Sequence, residues 1–187
     1  MTSKLKTDVL ETVSGSGTIA LTNQLSGMTS ASLPTLTHAE MPAGSVVQMV
    51  HTNYGTTLNT SSTAFVDIGY QLSITPLYAN SKMFITFSTH IYLQNSSAAW
   101  NTVACRILRD STAVDGGDPA NSYGFGKYLG AGQYLYVTYA KTYIDSPNTT
   151  NAVIYKPQVT AGQGNPIEVN NSSAGGPSQL TIIEIKQ

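Results

Sequence analysis

The sequence predicts an all-β fold: an antiparallel, jelly-roll-like β-sandwich preceded by an extended N-terminal arm. Three observations carry this. In residues 81–94 (SKMFITFSTHIYLQ), Met83, Ile85, Phe87, Thr89, Ile91 and Leu93 share one parity, while Lys82, Phe84, Thr86, Ser88, His90, Tyr92 and Gln94 share the other. A period of two, with β-branched and aromatic residues and no Gly or Pro, describes a long strand with one face on a core. Similar segments recur through residues 43–187, separated by Gly-, Pro- and Asn-bearing turns, and no long amphipathic helical pattern interrupts them. Finally, charged residues make up only 10% of the chain, against about 25% in a typical soluble domain, so 24 Thr, 20 Ser and 12 Asn must supply the polar surface.

The elements follow in order. Residues 1–42 hold only short apolar runs among Gly, Ser and Thr, too little to bury a core, and are expected to form an arm that orders on other proteins. Pro42, Ala43 and Gly44 mark entry into the sandwich, residues 43–187. Strands are predicted at residues 44–53 and 63–75, the second stopped by Pro76, then at 81–94 and 100–109. Residues 123–129 read as a short strand or loop, and residues 133–145 (QYLYVTYAKTYID) as a clear strand. Residues 150–160 contain Pro157, which predicts an edge strand or a bulge. Residues 179–186 (QLTIIEIK) close the chain as a mostly apolar strand expected to lie centrally in its sheet. The intervening stretches 54–62, 110–122 and 161–177 read as loops.

Several function classes find little support. A net charge of −1 without a Lys/Arg cluster gives no nucleic-acid footprint. No stretch is long and apolar enough for a transmembrane helix, and the first residues lack a signal-peptide core, so no membrane insertion is expected. The single cysteine, Cys105, lies in an apolar strand pattern and reads as a buried thiol. His38, His51 and His90 have no zinc-like spacing. Asp110, Asp115 and Asp118 sit in a Gly-rich loop, where turn chemistry accounts for them as well as Ca²⁺ ligation does. No P-loop, G-x-S-x-G motif or paired carboxylates occur, so neither cofactor, metal nor enzymatic activity is expected. Five Asn-x-Ser/Thr sequons, at Asn59, Asn95, Asn148, Asn170 and Asn171, are no more than the composition produces.

The segments VLETVSGSGTIALTNQLSGMTS, PAGSVVQMVHTNYGT, TPLYANSKMFITFS and SQLTIIEIK resemble structural proteins of tailed phages, particularly those infecting marine cyanobacteria. In that group a Gly/Ser/Thr-rich N-terminal stretch joins a C-terminal sandwich of tumour-necrosis-factor or C1q-like type, typically trimeric. The resemblance implies a non-enzymatic virion protein, a short tail fibre or appendage anchored by residues 1–42 to other virion proteins. It further implies a homotrimer on the virion surface that meets the host, with host-surface glycan as the candidate ligand. A capsid decoration or head-fibre protein of the same fold is the alternative, and a polysaccharide-acting enzyme a distant second.

The surface candidates are aromatic: Trp100, Tyr123, Tyr128, Tyr134, Tyr136, Tyr139 and Tyr143. Two readings stand. The alternate tyrosines pack in the core or about an oligomer axis, or they form a receptor or glycan surface.

Overall fold

The computed structural model describes residues 37–95, 97–114, 124–170 and 176–187. The expected arm up to residue 36, Tyr123, and the loop positions Asp115 and Asp118 lie outside the described residues. From His38 to Gln187 the chain forms one unit, built of strands β1 (Val46–Tyr54), β2 (Leu58–Thr60), β3 (Val66–Asp67), β4 (Leu72–Ile74), β5 (Lys82–Gln94), β6 (Ala99–Arg109), β7 (Thr112–Ala113), β8 (Phe125–Leu129), β9 (Tyr134–Asp145), β10 (Val153–Ala161), β11 (Ile167–Val169) and β12 (Ser178–Ile185). A 3-10 turn, His38–Glu40, precedes them.

All pairings are antiparallel, and they make two sheets. In the first, β5 is flanked by β9 along one side and by β12 and β11, end to end, along the other; β1 and β2 lie beyond these. In the second, β10 lies between β6 and the pair β3/β4, and β6 carries β7 and β8 on its far side. Of the long strands, β1, β5, β9 and β12 belong to the first sheet and β6 and β10 to the second, so from β5 onward the chain passes back and forth between the sheets.

The period in β5 decides the packing. Met83, Ile85, Phe87, Thr89, Ile91 and Leu93 are all buried, while Phe84, Thr86, Ser88, His90 and Tyr92 are half-buried on the opposite face. Facing them across the sandwich are Cys105 and Ile107 of β6 and Tyr155 and Val159 of β10, and Leu180 and Ile182 of β12 complete the layer. Each such side chain removed from water contributes roughly 1.5–3 kcal/mol before entropy is charged. Glu184 is, among the described residues, the one carboxylate fully buried on this inner face; it accepts from the backbone N–H groups of Leu77 and Tyr78, at 2.9 and 3.1 Å, and from Gln48 Nε2. Burial pushes the Glu184 carboxyl up, but these bonds outweigh it and hold the carboxyl below its ordinary range. At the same end, Lys186 Nζ donates to the carbonyls of His38, Ala39 and Met41, tying the 3-10 turn to the last strand.

The structure corrects two strand expectations. Residues 63–75 do not form one strand: β3 and β4 are separated at Gly69, whose φ of +112° only glycine adopts readily and where a Cβ would stand 2.5 Å from the Tyr54 hydroxyl. The second correction is linked to it. Pro157 lies in β10, which is central rather than an edge, with Ile107 of β6 opposite it. Its missing N–H falls on the side where the neighbouring line breaks between β3 and β4, and its carbonyl there accepts from Ile68 N at 3.2 Å. The proline is tolerated because its partner strand is interrupted, not because β10 is exposed. The expected loops also contain the short strands β2, β7 and β11. β12, between β1 and β5, is central as its apolar run requires.

Candidate interaction surfaces

The β9 tyrosines are separated by parity. Odd residues point inward: Tyr139 is buried in the core and Tyr143 packs against its rim. Tyr139 is therefore not available as a receptor contact, which corrects that expectation, while Tyr143 is half-buried. Lys141 between them donates from Nζ to the Cys105 carbonyl at 3.0 Å, with the ammonium 5.6 and 5.4 Å from the Tyr139 and Tyr143 ring centres. Burial pulls the Lys141 pKa down, yet its interactions with Tyr143 and Tyr139 more than offset this and hold it above the ordinary lysine range.

Even residues of β9 point out. Tyr134 and Tyr136 cluster with Tyr92 of β5, the ring centres 5.0 Å apart for Tyr92–Tyr136, 5.9 Å for Tyr92–Tyr134 and 5.6 Å for Tyr134–Tyr136. Sequence parity had the signal for Tyr92, which belongs to the same face but lies outside the Tyr-rich run. Further along this face the register lines up Met49, Ile183, Phe84 and Ile144 in one row across four strands. Met49 and Ile144 are 61% and 66% exposed. Between this row and the tyrosines lie His51, Thr181, Thr86 and Thr142, then Asn53, Gln179, Ser88 and Ala140, then His90 and Thr138. None of these positions carries Asp, Glu, Lys or Arg. His51 bonds Thr181 Oγ1 at 2.8 Å and His90 bonds Thr138 Oγ1 at 3.0 Å, so both histidines are polar members of the sheet face.

The outer face of the second sheet differs. Arg106 Nε donates to Gln158 Oε1 at 2.7 Å and its guanidinium stacks 4.3 Å from the Phe65 ring centre. Asp67 accepts from Gln158 at 2.6 Å and from Lys156 at 2.9 Å. The polar groups on this part of the face thus bond one another. The exception is the cross-strand pair Trp100 and Tyr128, exposed by 58% and 52%. The aromatic candidates therefore form two separate groups on opposite sheets, with a third inside the core.

Other candidates hold less chemistry. A shallow depression of about 190 Å³, lined by Asp67, Gly69, Tyr70, Gln71 and Lys156, is below the roughly 300 Å³ at which ligand pockets begin. Among the described residues no three His, Cys, Asp or Glu side chains converge as a metal site. Asp110 adopts φ +54° and its carboxylate accepts from Ile154 N at 3.0 Å, which is turn chemistry. Asn95 is buried, its amide bonded to Ala99 O and Asn101, so that sequon is not accessible.

No family model matches the chain, and no curated protein matches it. A solved structure of infectious bursal disease virus, Gx strain, is similar at 13% identity with a TM-score of 0.33, over 75% of this chain and 37% of that one. The chain thus spans little more than a third of that neighbour's length.

Proposed function

We propose that this chain is a non-enzymatic virion structural protein, an appendage that self-assembles through the outer face of its first sheet. The observation that carries the reading is the four-strand face holding Met49, Ile183, Phe84 and Ile144 at one end and Tyr92, Tyr134 and Tyr136 at the other, with no formal charge between. The stretch between the two ends carries no charge, with Lys82 and Glu168 at its margins, so it meets an identical copy without like-charge repulsion, and exposed apolar groups in a row mark protein contacts. Four strands about 4.8 Å apart and roughly ten residues long offer on the order of 600 Å², close to the ~800 Å² per partner of a standard interface.

A homotrimer is the assembly that the sequence resemblance favours, with residues 1–42 engaging other virion proteins and the sandwich turned toward the host. Sedimentation equilibrium tests the assembly: a species of three times 19.8 kDa is expected, reduced to monomer by the Met49→Lys, Ile144→Glu double variant. A wild-type monomer at tens of micromolar overturns the reading. Cross-linking in intact virions, followed by mapping of residues 1–42, separates a tail attachment from a head decoration.

A further inference from the structure

We propose that the corner formed by Trp100 and Tyr128 is a carbohydrate platform that takes one neutral pyranose ring of a cell-surface glycan. This rests on the appendage reading above and gives its recognition role to the second sheet, leaving the outward β9 tyrosines to assembly.

Trp100 and Tyr128 are cross-strand partners on β6 and β8, with ring centres 6.1 Å apart and planes at 76°. The edge-to-face contact preorganises both rings, so little rotamer freedom is lost when a ligand arrives. A pyranose presents a C–H-rich face, which suits the negative face of an aromatic ring, and a rim of hydroxyls, which needs polar neighbours. The next pair on the same face is Thr102, whose hydroxyl is buried, and Gly126, so the floor beside the rings is low and the polar neighbour at the rim is Asn165. Gly162 caps Thr102, donating its N–H to the Thr102 carbonyl at 3.0 Å, and a Cβ there would stand 2.5 Å from Thr102 Oγ1. No side chain longer than threonine rises beside the aromatic corner on these three positions. Asn165 donates from Nδ2 to the Trp100 carbonyl at 2.7 Å, bringing an amide to the rim.

The occupant follows from size and charge. Across residues 99–103, 125–130 and 162–166 the one charged side chain is Lys127, which leaves an acidic or strongly basic partner without a matching field. Two exposed rings bounded by glycines are far smaller than the ~800 Å² a protein partner needs, and match a single sugar ring. A second copy has the broader uncharged face of the other sheet.

Trp100 is the sole tryptophan, so its emission reports on this corner directly. The full-length chain would be titrated with dextran, mannan, laminarin and chitohexaose, following emission and acrylamide quenching. A saturable blue shift with protection from quenching by at least one of them is expected. Tyr128→Ala should weaken that response about tenfold or more, and Gln71→Ala, elsewhere on the surface, should leave it unchanged. No saturable response to any of the four overturns the proposal. So does a blue shift produced by concentrating the protein alone, which would make the corner a contact between copies. Sedimentation of the same samples separates the two claims: a trimer blind to sugar sinks the platform and keeps the assembly, whereas a sugar-responsive monomer does the reverse.

Discussion

The outer faces of the two sheets use the same sparse charge in opposite ways. On the second sheet, Asp67 accepts from Lys156 and Gln158, and Arg106 bonds Gln158 and stacks on Phe65, so these charges are bonded within the chain. On the first sheet, hydroxyls, amides and exposed apolar side chains stand in register with no charge among them, and Met49 and Ile144 remain mostly in water. One face satisfies itself and the other is left to be satisfied by a partner. The composition, 10% charged, reports their average and conceals this division.

The largest expected effect tests the inward and outward positions of β9 against each other. Tyr139→Ala should cost about 3–4 kcal/mol in urea unfolding, because it empties a core site, whereas Tyr136→Ala should change monomer stability by less than about 0.5 kcal/mol. Equal losses would show that parity in β9 is not what separates core from surface.

Next comes the pin that joins the two sheets. Asp145 of β9 accepts both Arg109 Nη1, at 2.6 Å, and the buried Tyr155 hydroxyl, also at 2.6 Å, each from the second sheet. Asp145→Ala leaves both donors without this acceptor and should cost roughly 2–3 kcal/mol, discounted from the range for fully buried pairs because Arg109 is partly exposed. A loss under ~0.5 kcal/mol would reduce the pin to an ordinary surface pair.

Acid sharpens the comparison further. The Glu184 pKa lies below its ordinary value of 4.5 in the folded chain, so its contribution is fully present above 4.5 and is lost as pH falls through the lower folded value. Glu184→Gln should lower stability by about 1–3 kcal/mol at pH 7 and flatten the dependence below pH 4.5. A variant with an unchanged acid slope would remove Glu184 as its source. The smallest effect belongs to Pro157→Ala: with no strand opposite its nitrogen, a change within about 1 kcal/mol is expected, and a larger loss would mean the interruption at Gly69 is not what accommodates the proline.

Much of this was written locally in the chain. The alternation in residues 81–94 appears unchanged in the burial of β5, and the apolar run of residues 179–186 did become a central strand, because period and length register burial directly. The single cysteine went where its strand's parity sent it. Three of the very short strands, β2, β7 and β11, were not legible: segments that short carry no period and exist only because a longer neighbour offers a ladder. Pro157 misled for the same reason, since whether a missing N–H matters is decided by the strand opposite.

The aromatic candidates show where the boundary lies. Sequence by itself determined that the chain is a β-sandwich, which residues of each long strand share a face, and that charge is scarce. Which parity faces inward on β9, that Trp100 meets Tyr128 while Tyr136 meets Tyr92, and that Asp67, Arg106 and Lys156 meet around Gln158 on the second sheet were decided by tertiary structure. Side-chain period is a property of one strand; the register between strands distant in sequence, set by packing the common core, is not.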